Sequence, residues 1–291
     1  MNSKNKSLED ALVKEDKLTP VAFKADTASS NNNEVAANSH LPAQIQQPIM
    51  LVVAETVSTK INKSGMAESF EIKGSLTLTT SSDAPMCAVQ LEIKNNKEAF
   101  IFNTHPKINK PLYESTGALQ LKDLNKGFPP QRPVGILKWN YTSMNESNNS
   151  NIKIPLKINC WPEEEGRGMC NVSIEYSTDN PVSLHDVRIK IPLGTTETPT
   201  ILSSDYSYKH SPSTGDLIWE IPSIDDSNPS GCLEFTILQR DLNVFFPIVV
   251  TFHSQKLFCE VDVVSVRAVD GNFPIQFGLT KIMSTEDYTI G

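Results

Sequence analysis

Nothing in this sequence is spaced to hold a metal ion or a phosphate. Its five histidines, His40, His105, His185, His210 and His253, show no His-x-His or His-Glu-x-x-His spacing, so no familiar metal site is expected. There is no Gly-x-Ser-x-Gly elbow, no Gly-x-x-x-x-Gly-Lys-Ser/Thr loop and no Gly-x-Gly-x-x-Gly turn, which removes the usual hydrolase, nucleotide and dinucleotide machinery and with it any expected cofactor. The five cysteines, Cys87, Cys160, Cys170, Cys232 and Cys259, are odd in number, contain no Cys-x-x-Cys pair and follow no signal peptide. Reduced thiols and a cytoplasmic protein are expected, and triplets such as Asn140-Tyr141-Thr142 then carry no glycan. The longest apolar run, near residues 245–250, is far too short to span a bilayer, so membrane association is expected to be peripheral.

Helical periodicity is nearly absent too. A short helix at residues 7–17, capped by Ser7, is the exception, within a stretch 1–48 rich in Ser, Asn, Ala and Lys that otherwise reads as a disordered linker. What the chain has instead is alternation. Residues 152–176 read as a β-hairpin: Ile152, Ile154, Leu156 and Ile158 alternate with polar partners on one arm, and Cys170, Val172, Ile174 and Tyr176 on the other. Trp161 and Pro162 are expected to stop the first arm, with Glu163, Glu164 and Glu165 at a solvated tip turned by Gly166 and Gly168. Cys160 and Cys170 face each other in this reading, as buried structural thiols.

Further strands are expected at 49–57, through Phe70 to Leu78, through Cys87 to Ile93, from Phe100, and at 134–141. Others follow at 187–191, 217–221, 233–237, 248–252, 258–267 and 274–279. Gly65 and Gly74 mark turns or bulges, and 103–133, with five prolines, reads as long connections. Trp139, Trp161 and Trp219 lie in or beside strands and are expected in the core. Short strands at this spacing predict an all-β protein of the β-sandwich class. Charge is uneven: the formal net value is −8, made of −1 over 1–48, +3 over 49–140, −8 over 141–243 and −2 over 244–291. An acidic excess confined to one internal segment argues against a nucleic-acid partner and for two modules of different surface character. Paired carboxylates could serve a β-rich carbohydrate-active enzyme, but adjacent glutamates on a turn offer no cleft. A binding module is the expected function.

Several words occur in order that carry a resemblance: Ile158-Asn159-Cys160-Trp161-Pro162, then Cys170-Asn171-Val172-Ser173-Ile174-Glu175-Tyr176. Phe102-Asn103-Thr104-His105-Pro106, Gly135-Ile136-Leu137-Lys138-Trp139, Phe245-Phe246-Pro247 and Val269-Asp270-Gly271-Asn272 join them. Over residues 49–291 the chain resembles the C-terminal μ-homology domain of the coatomer δ subunit family, within the adaptor medium-subunit superfamily. The resemblance implies two β-sandwich subdomains, the second inserted into the first: 49–140 with 244–291 as subdomain A, and 141–243 as subdomain B. It implies a non-enzymatic COPI-coat role in Golgi-to-endoplasmic-reticulum retrieval. The implied partners are other coatomer subunits and short tryptophan-based motifs of tethering and Arf GTPase-activating proteins. The implied location is peripheral, on Golgi and vesicle membranes. It also implies a longin domain ahead of this region; residues 1–48 could not supply one, so a piece of a longer chain or a short paralogue is expected.

The clathrin-adaptor relatives read tyrosine signals, and that reading is the alternative. Their pocket places an aromatic and an aspartate on the first strand, a lysine on the next and a Trp-x-Arg on a late strand. The matching positions here are Met50, Val52 and Thr79, with Ser265 and Arg267 on the late strand, so the chemistry is kept only at Arg267. For the tryptophan motifs, whose neighbours are commonly acidic, the +3 segment is the better match. The turn at residues 94–100 is the candidate peptide-binding site, with Lys94, Lys97 and Phe100 as its residues.

Overall fold

The computed structural model describes residues 47–144, 152–179 and 182–291. The expected helix at 7–17, the linker up to residue 46 and the polar break at 145–151 lie outside the described residues. Strands make up 59% of the described residues and helix 6%. β1 (Ile49–Ile61) turns tightly at Gly65 into β2 (Ala67–Thr80), and β3 (Cys87–Ile93), β4 (Ile101–Thr104), β5 (Ala118–Leu119) and β6 (Val134–Met144) follow. Next come β7 (Lys157–Gly166), β8 (Met169–Ser177), β9 (Leu184–Pro192), β10 (Thr200–Ser204), β11 (Ser207–Ser211), β12 (Asp216–Ile224) and β13 (Ser230–Leu238). β14 (Ile248–Ser254), β15 (Val261–Ala268) and β16 (Phe277–Ile290) close the chain. The connection at 103–133 also contains a helix, α1 (Lys110–Thr116), started by the Asn109 side chain and ended at Gly117 with φ 76°.

One sheet of nine strands runs β11-β12-β9-β14-β16-β1-β2-β6-β4, and two smaller sheets, β15-β3-β5 and β10-β13-β8-β7, accompany it. Alternation explains the layering. In β1 the residues Ile49, Leu51, Val53 and Val57 are all buried on one face. At that end Lys281 of β16 reaches across to Asp262 of β15. At the other end Tyr176 of β8 meets Trp219 of β12 with ring centroids 5.6 Å apart. The architecture is therefore all-β and built of two sandwiches that share a long sheet. β14 is the seam, pairing with β9 on one side and β16 on the other.

Several local expectations are corrected. Ile152, Ile154 and Leu156 are buried but precede β7, and the first arm runs on through Trp161 and Pro162 to Gly166, so the three glutamates lie on a strand. The turn itself is Arg167-Gly168, both at positive φ (56° and 79°), the two-residue geometry that matches strand twist. Cys160 lies opposite Ile174 and Cys170 opposite Glu164, so the two thiols are not cross-strand partners. Trp139 and Trp219 are core, but Trp161 is 47% exposed. Gly74 is neither turn nor bulge: it sits mid-strand opposite Glu55, and a Cβ there would lie 1.9 Å from the Trp139 ring.

Candidate peptide-binding site

The turn after β3 is shaped by Asn96 in the left-handed region (φ 53°), followed by a single 3-10 turn, Lys97–Ala99. Asparagine tolerates that conformation because its short side chain can bond locally. Here the side chains of the Asn pair clamp the turn onto the loop before β15. Asn96 Nδ2 donates to the Phe258 carbonyl at 3.0 Å, and Asn95 Oδ1 accepts from the Glu260 N–H at 2.8 Å. The Lys94 N–H adds a bond to the Glu260 carbonyl at 3.1 Å.

The three candidate residues meet different fates. Phe100 is 6% exposed and packs on Tyr141, ring centroids 5.8 Å apart, so its aromatic surface belongs to the core. Lys94 is paired: its Nζ lies 2.5 Å from Asp262 Oδ2. Lys97 is exposed at the start of the 3-10 turn. Asp262 also takes Lys281, and these two ammonium groups, Lys281 foremost, hold its carboxyl below the usual range. A cleft of about 390 Å³ opens beside the turn, lined by Gln255, Lys256, Leu257, Glu260, Asp262 and Lys281. On the other side of the turn, β4 ends the nine-stranded sheet, and its first residue, Ile101, is 65% exposed. An extended peptide could meet here a free strand edge, an apolar side chain and a cation.

Beneath this surface lies a group that pattern reading missed. Glu55 is 1% exposed and accepts from Trp139 Nε1 (2.8 Å), the Phe258 N–H (2.6 Å) and the Cys259 N–H (3.0 Å). Burial pushes its pKa up to about 7, even though all three donors favour the carboxylate. Its signal was in the sequence: Glu55 stands at a buried parity in the series Ile49, Leu51, Val53, Val57. Through the 258–259 backbone it braces the same loop that Asn95 and Asn96 hold. Asp262 left no comparable trace, because its partners come from the turn after β3 and from β16.

The tyrosine-signal positions also resolve. The strand beside β1 is β16, not β15, and Gly278 and Thr280 stand opposite Met50 and Val52. Ser265 and Arg267, the expected late-strand positions, lie on β15 in the three-stranded sheet, where Arg267 Nη1 donates to the Asn272 carbonyl at 3.1 Å, so the strand that pairs with Met50 and Val52 carries neither of them. No charged side chain flanks Met50 and Val52 on either neighbouring strand, whose facing residues are Gly278, Thr280, Thr77 and Thr79. Among the described residues, no group of three or more His, Cys, Asp or Glu side chains is placed to hold a metal, and no helix is long and apolar enough to cross a membrane. All five cysteines are free.

Residues 35–291 match the model of the adaptor complexes medium subunit family, and the chain belongs to that family. Coatomer subunits and the members of this family are structural coat components and not enzymes. It is similar to the coatomer subunit delta of Dictyostelium discoideum, 31% identical over 281 residues that make up 96% of this chain and 50% of the relative. The chain thus spans about half the length of the curated relatives it matches. Among solved structures it is similar to the yeast delta-COP-I mu-homology domain, with a TM-score of 0.72, 24% identity, and coverage of 84% of this chain and 98% of that one. The same yeast domain is also known complexed with a Dsl1 WxWxV peptide, with the same fit.

Proposed function

We propose that this chain is the peptide-recognising part of a COPI coat subunit of the delta type, active in Golgi-to-endoplasmic-reticulum retrieval. Its ligands are short tryptophan-based motifs in disordered stretches of tethering and Arf GTPase-activating proteins. Its other partners are further coatomer subunits, and it works in the cytoplasm, peripherally on Golgi and vesicle membranes. The observation that carries this reading is the likeness to coatomer delta subunits along nearly the whole chain. The uncharged surroundings of Met50 and Val52 support it over the tyrosine-signal alternative, because a phenolic hydroxyl would meet only threonine hydroxyls there and no carboxylate or cation. The subdomain boundaries, 49–140 with 244–291 and 141–243, are part of the same proposal.

The peptide site proposed is the 94–100 turn together with the edge of β4. Lys94 and Lys97 would face acidic neighbours of the motif, and Phe100, fixed in the core, would set the height of the turn. A Lys94→Glu, Lys97→Glu double variant tests this by calorimetry with a tryptophan-motif peptide flanked by aspartates. Affinity is expected to fall about tenfold or more, since Lys97→Glu turns an attraction into a repulsion and Lys94→Glu removes a cation from Asp262 and adds a like charge beside it. Unchanged affinity would remove the site while leaving the functional reading intact.

A further inference from the structure

One row of side chains crosses the long sheet at its seam. Ser223 of β12, His185 of β9, His253 of β14 and Ser284 of β16 stand opposite one another in register across four adjacent strands. The two imidazoles are thus direct cross-strand partners, with ring centroids 5.7 Å apart and planes inclined by 38°. A bulge decides what else joins them. Between Thr251 and His253 the register shifts by one residue, and there Asp186 of β9 takes a left-handed φ of 49°. Aspartate is among the few residues other than glycine that accept this conformation. Leu184 and Val187 on either side are both buried, so the two residues between them, half-buried His185 and exposed Asp186, turn to the outer face together. The Asp186 carboxylate then reaches the second imidazole, its Oδ2 lying 3.5 Å from His253 Nδ1.

We propose that His185 and His253 chelate one divalent transition-metal ion of the zinc, nickel or copper kind, with Asp186 as the carboxylate that positions His253. Neutral imidazole is the side chain these ions favour. A ring nitrogen bonded at about 2.0–2.1 Å places the ring centre about 3 Å from the ion, so two rings on one ion have centres about 5–6 Å apart. The observed 5.7 Å lies in that range. A carboxylate facing Nδ1 favours the tautomer protonated there, which leaves Nε2 of His253 as the coordinating atom. Ser223 and Ser284, short side chains at the two ends of the row, leave the outer face open for the water molecules that complete the shell. With two protein ligands the site differs from the three- and four-ligand sites that sequence spacing reveals, and its residues meet only through the sheet. An ion bound here ties β9 to β14 and so locks the seam between the two sandwiches. The inference does not depend on the peptide-binding reading.

Calorimetric titration with Zn²⁺ of the full 291-residue chain, first stripped with EDTA and exchanged into chelator-free buffer, tests it. Saturable binding of one ion per chain is expected. His185→Ala and His253→Ala should each weaken it at least tenfold, and Asp186→Asn about tenfold. His210→Ala and Cys232→Ser, which remove ligand-type side chains elsewhere, should leave it unchanged. With Cu²⁺ in place of Zn²⁺, the electron paramagnetic resonance spectrum should show coupling to two imidazole nitrogens in the parent and to one in either histidine variant. Zn²⁺ should raise the thermal midpoint of the parent by a few degrees and that of neither histidine variant. In EDTA all should melt alike, because neither ring is buried in the core. No saturable Zn²⁺ binding, or binding that either histidine substitution leaves undiminished, would overturn the proposal. Undiminished binding in Asp186→Asn would overturn the role given to the carboxylate.

Discussion

Glu55 and Gly74 show how much single residues decide in this fold. Gly74 leaves room for the Trp139 indole to cross β2 and reach Glu55, so Gly74→Ala would have to displace the ring and break a buried hydrogen bond. A loss of about 3 kcal/mol in urea unfolding is expected, with a shift of tryptophan emission. For Glu55, burial lifts the folded-state pKa from 4.5 to about 7, so the folded protein holds this proton more tightly than the unfolded chain. The resulting stabilisation is full below about pH 4.5 and is lost as pH rises to about 7, a change of about 3 kcal/mol. Unfolding free energies of the parent and Glu55→Gln, compared across that window, should converge or diverge by this amount; parallel curves would show that the carboxylate keeps an ordinary pKa. Much of this was legible. A carboxylate at a core parity of β1 is visible in the sequence, but nothing local says that Trp139, 84 positions away, is its partner.

At the scale of elements, alternation located most strands because one face of each is buried. It failed where the face is polar or the partner is distant. β10 and β11, 200–204 and 207–211, are largely exposed and carry no apolar period, and the far half of β16 reads as Ser, Thr, Glu and Asp with only Met283, Tyr288 and Ile290 turned inward. Residue type puts Trp161 in the core, whereas its parity, alternating with buried Cys160, turns it to the outer face. The β7–β8 turn offers a direct test of local geometry. Gly168→Ala, at φ 79°, should cost about 1 kcal/mol, whereas Arg167→Gly at φ 56° should be neutral or stabilising by a similar amount; thermal melts check both.

For the whole molecule, the shared sheet matters most. β14 supplies a paired neighbour to both β9 and β16, so residues 141–243 taken alone leave the edge of β9 bare, and the Tyr288 hydroxyl, which donates to the Leu156 carbonyl, is lost with β16. That segment expressed alone is expected to lack a cooperative thermal transition, whereas residues 47–291 should show one. A sharp transition in the isolated segment would mean that the seam is dispensable. The two-sandwich class and the family words could be read from the sequence. The candidate site could be read only in part: the turn and its lysines are there, but the Asp262 pairing and the Asn clamp depend on residues more than 160 positions apart.

The proposed function is that this module reads tryptophan-based peptides and not tyrosine signals. Calorimetric titration of residues 47–291 with two peptides addresses it most directly, one carrying two tryptophans two positions apart among acidic residues, the other a tyrosine-x-x-leucine signal. Saturable heat with the first and none with the second is the expected result. Binding of the tyrosine peptide alone would contradict the account, and would mean that the face around Met50, Val52, Gly278 and Thr280 recognises a phenol without a charged partner.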